Sequence, residues 1–288
     1  MERSVELGKP AQVDLPQGTV RYFERGTGRP VVFVHGLLVN AELWRKVVPG
    51  IAEGGYRCIA PDLPLGSHET PMSPEADLSP TGVADLIADF LAALDLDDVT
   101  IVANDTGGGL TQILLTRRSE RIGRVVLTPS DSFERFFPPP LASLPKLARL
   151  PGSMWLTARL IGSRLALRVL FGLVTKRPIP GEIAARYTGP MRRSAGVQRD
   201  LRKFVTGVHN RYTLAAAELL PKFDRPVLLA WAREDKLFPL SLAQRLIQAL
   251  PDARLREIGD TLTFVPEDRP DELVRLVLEF LDEAGTAD

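Results

Sequence analysis

Residues 99–109 read Val-Thr-Ile-Val-Ala-Asn-Asp-Thr-Gly-Gly-Gly, and few folds accommodate such a run. The quartet Val99, Thr100, Ile101 and Val102 predicts a strand buried on both faces. Leu110, Ile113 and Leu114 then keep a helical spacing. A strand that becomes a helix within one residue makes a sharp elbow, which lifts the apex side chain above the carboxyl ends of a parallel sheet. Such a turn is crowded, so the residues two before and two after the apex must be small. Here they are Ala103 and Gly107, and the apex is Asp105. From the segment alone two readings stand: a carboxylate presented for chemistry, or an Asp that caps the next helix.

The 288 residues are 44% hydrophobic and 25% charged, enough for one large core with an insertion. Lys+Arg and Asp+Glu stand at 36 each, a balance that favours neither nucleic acid nor a membrane as partner. The single cysteine, Cys58, excludes an intrachain disulfide, as suits a reducing cytoplasm. The opening Met-Glu-Arg-Ser-Val-Glu has no apolar signal core. No cluster of metal-ligand spacing and no phosphate-cradling loop argues for a metal or cofactor. The glycines after Asp105 follow a strand but lack the dinucleotide spacing. The expectation is a cytoplasmic globular protein that needs no cofactor and binds a small apolar molecule.

In chain order, residues 11–15 and 18–24 predict a hairpin, and 30–34 a central strand that ends in His35-Gly36-Leu37. A helix is expected over 40–51 and a strand over 56–60, closing on Pro61-Asp62-Leu63. Ser79-Pro80 is a helix start, a hydroxyl cap followed by proline at the first helical position. Strand 124–127 follows the elbow helix. From Phe133 to Leu219 no strand is evident, and prolines punctuate helical segments such as 154–174 and 196–208. Sheet rhythm returns at 226–231, then helix 240–250, strand 254–258 and helix 272–283. Alternating buried strands and helices predict an α/β fold with a mostly parallel sheet and helices on both faces. The expected division is a core over 1–130, an inserted helical cap over 131–219, and the rest of the core over 220–288.

Five motifs in this order resemble the α/β-hydrolase fold, in particular its capped haloalkane dehalogenase and epoxide hydrolase branch. They are His35-Gly36, Pro61-Asp62-Leu63, the elbow 104–108, the run 233–239 from Arg233 to Pro239, and the run 264–270 from Phe264 to Pro270. The resemblance implies that Asp105 is a nucleophile, ionised without help at neutral pH. It implies that the backbone N–H groups of Thr106 and Leu37 form an oxyanion hole. Asp235 matches the usual acid, and Asp131, after the strand that follows the elbow, is a second candidate, though a solvated or capping Asp is the simpler reading there. The resemblance also implies a histidine just before Phe264, where this chain carries Thr263. Threonine accepts no proton near neutral pH, so the water-activating base of the family mechanism is missing from that position.

Only His35, His68 and His209 exist. His35 reads as structural, shaping the oxyanion loop, and His209 as exposed. The loop of His68 leaves the carboxyl end of a core strand, which makes His68 the candidate substitute base. Tyr187, better placed than Tyr212, is the candidate for touching substrate from the cap. Arg192, Arg193, Arg199, Arg202 and Lys203 read as a solvated helix face. Three functions are open: a hydrolase slowed by Thr263, a lyase, isomerase or cyclase using Asp105 as acid or base, and a binding protein without catalysis.

Overall fold

The computed structural model describes residues 3–285. Eight strands form one sheet: β1 (Lys9–Leu15), β2 (Gly18–Arg25), β3 (Pro30–Val34), β4 (Arg57–Pro61), β5 (Val99–Asp105), β6 (Ile122–Ser130), β7 (Val227–Ala232) and β8 (Ala253–Ile258). Their order is β1-β2-β4-β3-β5-β6-β7-β8. β1 and β2 form the expected hairpin, Leu15 opposite Gly18, and β2 runs antiparallel to β4. From β4 to β8 every pairing is parallel. The elbow strand β5 therefore lies between β3 and β6, covered on both edges.

Alternation along the strands divides the interior in two. Val32, Val34, Ile101, Ala103, Val125, Leu127, Leu229 and Trp231 face α2 (Pro80–Ala93), α3 (Thr106–Leu115) and α10 (Leu240–Ala249). Val31, Phe33, Val102, Val126, Leu228 and Ala230 face α1 (Val48–Glu53) and α12 (Pro270–Gly285), with the short α11 (Val265–Asp268) beside them. Each such aliphatic side chain contributes about 1.5–3 kcal/mol when fully buried, so both faces are firmly held.

Between β6 and β7 the described residues are helical or loop: α4 (Leu144–Leu147), α5 (Ser153–Leu160), α6 (Arg164–Gly172), α7 (Gly181–Arg193), α8 (Ala195–Gly207) and α9 (Arg211–Leu219). Of the cationic face expected to be solvated, Arg192, Arg193 and Arg202 are exposed, while Arg199 and Lys203 are half-buried. Arg202 Nε donates to Ala148 O at 3.0 Å, Lys203 Nζ to Ala76 O at 2.9 Å, and Arg199 bonds the Met72 carbonyl. These long side chains bond backbone carbonyls, and Arg199 and Lys203 thereby tie α8 to the core.

Two helices differ from expectation. The stretch 40–51 splits into a 3₁₀ turn, Ala41–Trp44, and α1. Pro49 is the cause: without an N–H it starts a helix well and continues one badly. Asn40 caps the first piece, accepting from Glu42 N at 3.1 Å. The stretch 154–174 breaks between α5 and α6, where Ser163 caps the second helix through Ala166 N at 3.1 Å. Ser79 caps α2 as its sequence announces, accepting from Gly82 N.

Candidate active site

Asp105 occupies the elbow apex at φ 55° and ψ −130°, a left-handed backbone conformation that a residue with a Cβ adopts only under constraint. The constraint is visible in the sheet. The pairing of β5 with β6 shifts register between Ala103 and Asp105, which re-aims the apex side chain. Space is short on every side. A Cβ at Gly107 would lie 2.4 Å from Val34 O, and one at Gly108 would lie 2.3 Å from Ser130 Cβ. A Cβ at Gly36 would lie 2.2 Å from the Asp105 carboxylate itself. Gly36→Ala is thus expected to push that carboxylate off its donors. Adduct formation at Asp105, measured by intact mass after exposure to an epoxide, should fall about 100-fold; an unchanged rate would show that the carboxylate has room to spare.

The carboxylate meets one backbone donor at hydrogen-bond distance, Leu37 N–H, which donates to Asp105 Oδ2 at 3.1 Å, and the adjacent Thr106 N–H also favours its charged form. Burial outweighs them and pushes the Asp105 carboxyl up to about 6, with a small further push from Asp235. The ionised form therefore dominates only above that value. Alkylation of Asp105 should fall as pH drops through about 6, close to tenfold per unit well below it; a rate flat between about pH 4 and 8 would exclude an ionised Asp105 as the attacking group.

Three further groups surround this pair. Asp235 is nearly buried; its Oδ1 accepts from Leu237 N at 2.8 Å and Phe238 N at 3.0 Å, and its Oδ2 from Thr263 Oγ1 at 2.7 Å. Burial raises its carboxyl, opposed by these donors. Thr263, fully buried, is held from its other end by Asn104 Nδ2, which donates to Thr263 O at 2.7 Å. Thr263 thus bridges the Asp235 loop and the residue just before the apex. Asp131 is also fully buried, neither solvated nor a helix cap. Its Oδ1 accepts from Phe137 N at 3.0 Å, while Oδ2 lacks a hydrogen-bond partner. Burial first, then the neighbouring Asp105 charge, raises the Asp131 carboxyl well above its ordinary value.

Above Asp105 lies a cavity of about 60 Å³. Leu37, Val39, Phe137, Leu144, Leu170, Phe171, Val174, Leu237 and Phe264 line it, and Asp105 is its only charged wall among the described residues. Helices α4 and α6 supply the roof. Phe264 N donates to Val174 O at 2.7 Å, which pins the cap to the loop that carries Thr263. The apolar lining is what the sequence reading missed; its signal was only helical spacing in the cap, which any packed helix shares.

Two candidates stand elsewhere. His68 is not a wall of the cavity: its Nε2 lies 3.2 Å from Asp200 Oδ2 on α8, and the same oxygen accepts from Met72 N at 2.7 Å. The loop does leave the active-site end of β4, but Asp200 captures the imidazole and makes it a latch between loop and cap. Tyr187 is buried, its hydroxyl 3.3 Å from Glu267 Oε1 and its ring packed 6.0 Å from Phe171, behind the cavity wall. Glu267 is in turn paired with the buried Arg45. Burial and the Glu267 charge push the Tyr187 hydroxyl well up, which keeps it neutral. His35 braces the loop that carries Leu37: Nδ1–H donates to Gly36 O at 2.9 Å and Nε2 accepts from Leu63 N at 2.8 Å. Burial lowers its imidazole to about 4. His209 is exposed and accepts from Arg211 N.

A sequence-family profile described as alpha/beta hydrolase fold matches residues 29–270. The chain belongs to the α/β-hydrolase fold family. It is 25% identical over 277 residues to haloalkane dehalogenase 2 of Mycobacterium tuberculosis (strain ATCC 25618 / H37Rv), spanning 92% of each chain. It is equally 25% identical over 285 residues to the cis-3-alkyl-4-alkyloxetan-2-one decarboxylase of Shewanella oneidensis, spanning 93% of this chain and 86% of that one. Among solved structures, the epoxide hydrolase CorEH without ligand superposes with a TM-score of 0.79 at 20% identity, covering 96% of this α/β-hydrolase and 99% of that chain. The last likeness is one of fold. No helix among the described residues is long and apolar enough to cross a membrane.

Proposed function

We propose that this α/β-hydrolase opens small apolar esters, epoxides or halides by attack of the Asp105 carboxylate, and that Thr263, standing where the dehalogenase and epoxide hydrolase branch carries its histidine, makes release of the product slow. One observation carries the reading: a strained carboxylate, held by the Leu37 N–H beside that of Thr106, is the only charged wall of an apolar cavity among the described residues. In the first step an oxygen of Asp105 bonds the substrate carbon and the halide or ring oxygen leaves with the electron pair. In the second, water must attack the resulting ester carbonyl while Leu37 and Thr106 hold the oxyanion. That water needs a base. Thr263 and Asp235 offer a hydroxyl and a carboxylate already engaged with each other.

Intact-protein mass spectrometry tests this directly. Exposure to an aryl epoxide or alkyl halide should add one substrate mass at Asp105, located by peptide mapping, and the adduct should outlast removal of free substrate. An unmodified protein after every substrate class would sink the reading.

The similarity to an oxetan-2-one decarboxylase favours a second reading with the same nucleophile. If Asp105 opens a four-membered lactone at its alkyl carbon, the ring C–O pair becomes a free carboxylate. That carboxylate then leaves as CO₂, its C–C pair forms an alkene, and the bond to Asp105 breaks with its pair returned to the enzyme. Neither water nor a base enters. Multiple turnovers of a dialkyl oxetan-2-one to alkene and CO₂, with epoxide adducts persisting, would select this reading over hydrolysis.

A further inference from the structure

Charge balance over the whole chain conceals a segregation within the cap. Residues 135–181 contain eight Lys or Arg and no Asp or Glu. Four of them, Lys146, Arg149, Arg159 and Arg168, are exposed and have no acidic partner among the described residues. The same segment exposes large apolar side chains where a water-facing helix would carry polar ones. α4 and the turn after it present Leu147 and Leu150, 49% and 57% exposed. On α5, Trp155, Leu156 and Leu160 are all more than half exposed, and the Arg159 guanidinium lies 5.0 Å over the Trp155 ring. On α6, Leu165 and Val169 are 73% and 60% exposed one turn apart, with Leu173 a turn further. Scattered exposed apolar side chains need no explanation, but eight in one acid-free stretch of helices do.

We propose that this outer face of the cap is a docking surface for an anionic lipid bilayer, with α5 and α6 lying in the headgroup region. Leucines and a tryptophan interleaved with unpaired arginines form the pattern of an interfacial helix, in which apolar side chains enter the acyl boundary and cations meet lipid phosphates. The cation–π pair of Arg159 and Trp155 suits the headgroup level, where an amphipathic ring sits. Charge complementarity selects the occupant. A second copy of the chain would bring the same unpaired cations against this face, whereas an anionic membrane brings the opposite sign. The inner sides of these helices fit the same partner. Leu144 of α4 and Leu170 and Phe171 of α6 roof the cavity above Asp105, and Phe171 also lines an outer groove of about 620 Å³ beside Arg168. A lipid-dissolved substrate would thus meet the cap on the side that leads inward. The docking itself does not depend on the chemistry at Asp105.

The chain carries its own reporter. Of its three tryptophans, Trp44 and Trp231 are fully buried and Trp155 is exposed, so a shift of emission on adding vesicles reads Trp155. The full chain should float with phosphatidylcholine vesicles holding about 30 mol % phosphatidylglycerol, at least about tenfold more than with phosphatidylcholine alone, and salt should weaken the binding. Trp155 emission should move to the blue on the anionic vesicles only. The double variant Leu165→Glu/Val169→Glu should lose both signals while keeping its circular dichroism. Should that variant fail to fold, Arg159→Gln/Arg168→Gln, which leaves the apolar face intact, should lower binding to anionic vesicles several-fold. Absence of wild-type binding to either vesicle, undiminished binding by the folded variants, or a dimer in sedimentation that Leu165→Glu/Val169→Glu dissociates would each overturn the proposal.

Discussion

Asp105→Asn should abolish adduct formation and, at the same time, raise the melting temperature at pH 8. An amide is a poor nucleophile, and removing the attacking group of a unit that works together typically costs on the order of 10⁴-fold or more in turnover. The stability gain follows from linkage. In the unfolded chain this carboxyl gives up its proton near its ordinary value of 3.8, in the folded chain only near 6. Between the two the folded state binds more protons, so Asp105 favours folding below pH about 4 and loses that contribution as pH rises through about 6. At pH 8 the folded protein carries a penalty of up to about 3 kcal/mol for this ionised, buried group. Asn removes the penalty, less what its amide gives up against the Leu37 and Thr106 donors. A rise of several degrees by thermal denaturation at pH 8, vanishing near pH 4, is expected. Equal melting temperatures at pH 8 would show that the carboxylate is better solvated than its surroundings imply.

Thr263→His should shorten the life of the Asp105 adduct by about 100- to 10,000-fold, the usual contribution of a positioned general base. Asp235 Oδ1 is already saturated by Leu237 and Phe238, and its Oδ2 now receives the Thr263 hydroxyl. An imidazole Nδ1–H can take over that bond, which fixes the ring tautomer and leaves Nε2 free to draw a proton from water. The site is fully buried and tightly packed, so about 1–3 kcal/mol of stability is lost to the larger ring. The check is the adduct half-life after substrate removal, compared with Thr263→His/Asp235→Asn. Acceleration in the single variant that the double variant loses would assign the effect to the restored pair. No acceleration in a folded Thr263→His protein would mean that position 263 does not face the ester.

How far the sequence could be read depended on the range of the interactions. The elbow was legible because its determinants are local: a β-branched run, small residues two either side of Asp105, and glycines where Val34, Ser130 and Asp131 press in. The split of the helix over 40–51 was equally local, and Pro49 within the run is its visible cause. His68 was misplaced because its partner, Asp200, lies 132 residues away on a cap helix whose packing no periodicity specifies. Tyr187 was misplaced for the same reason, since Glu267 and Arg45 reach it from two other parts of the chain. Asp131 was read as a second candidate acid or, more simply, as a solvated or capping residue, because nothing in Ser-Asp-Ser announces burial. The outer cap escaped notice because a balanced total of charges says nothing about where the acids are missing.

The placement of β5 between β3 and β6 has a consequence for how such a protein diversifies. Leu37 follows β3, Asp105 ends β5, Asp131 follows β6 and Asp235 follows β7, four strands that are neighbours in the sheet. These four positions are therefore indexed to the pitch of the sheet, about 4.8 Å per step, a distance that backbone hydrogen bonds fix whatever the helices above do. The cap hangs between β6 and β7 and contributes only walls. A graft of another cap across the ends of those two strands would change what enters without re-tuning where attack occurs, and the enzyme can be rebuilt for a new guest as a tool takes a new head on an old handle.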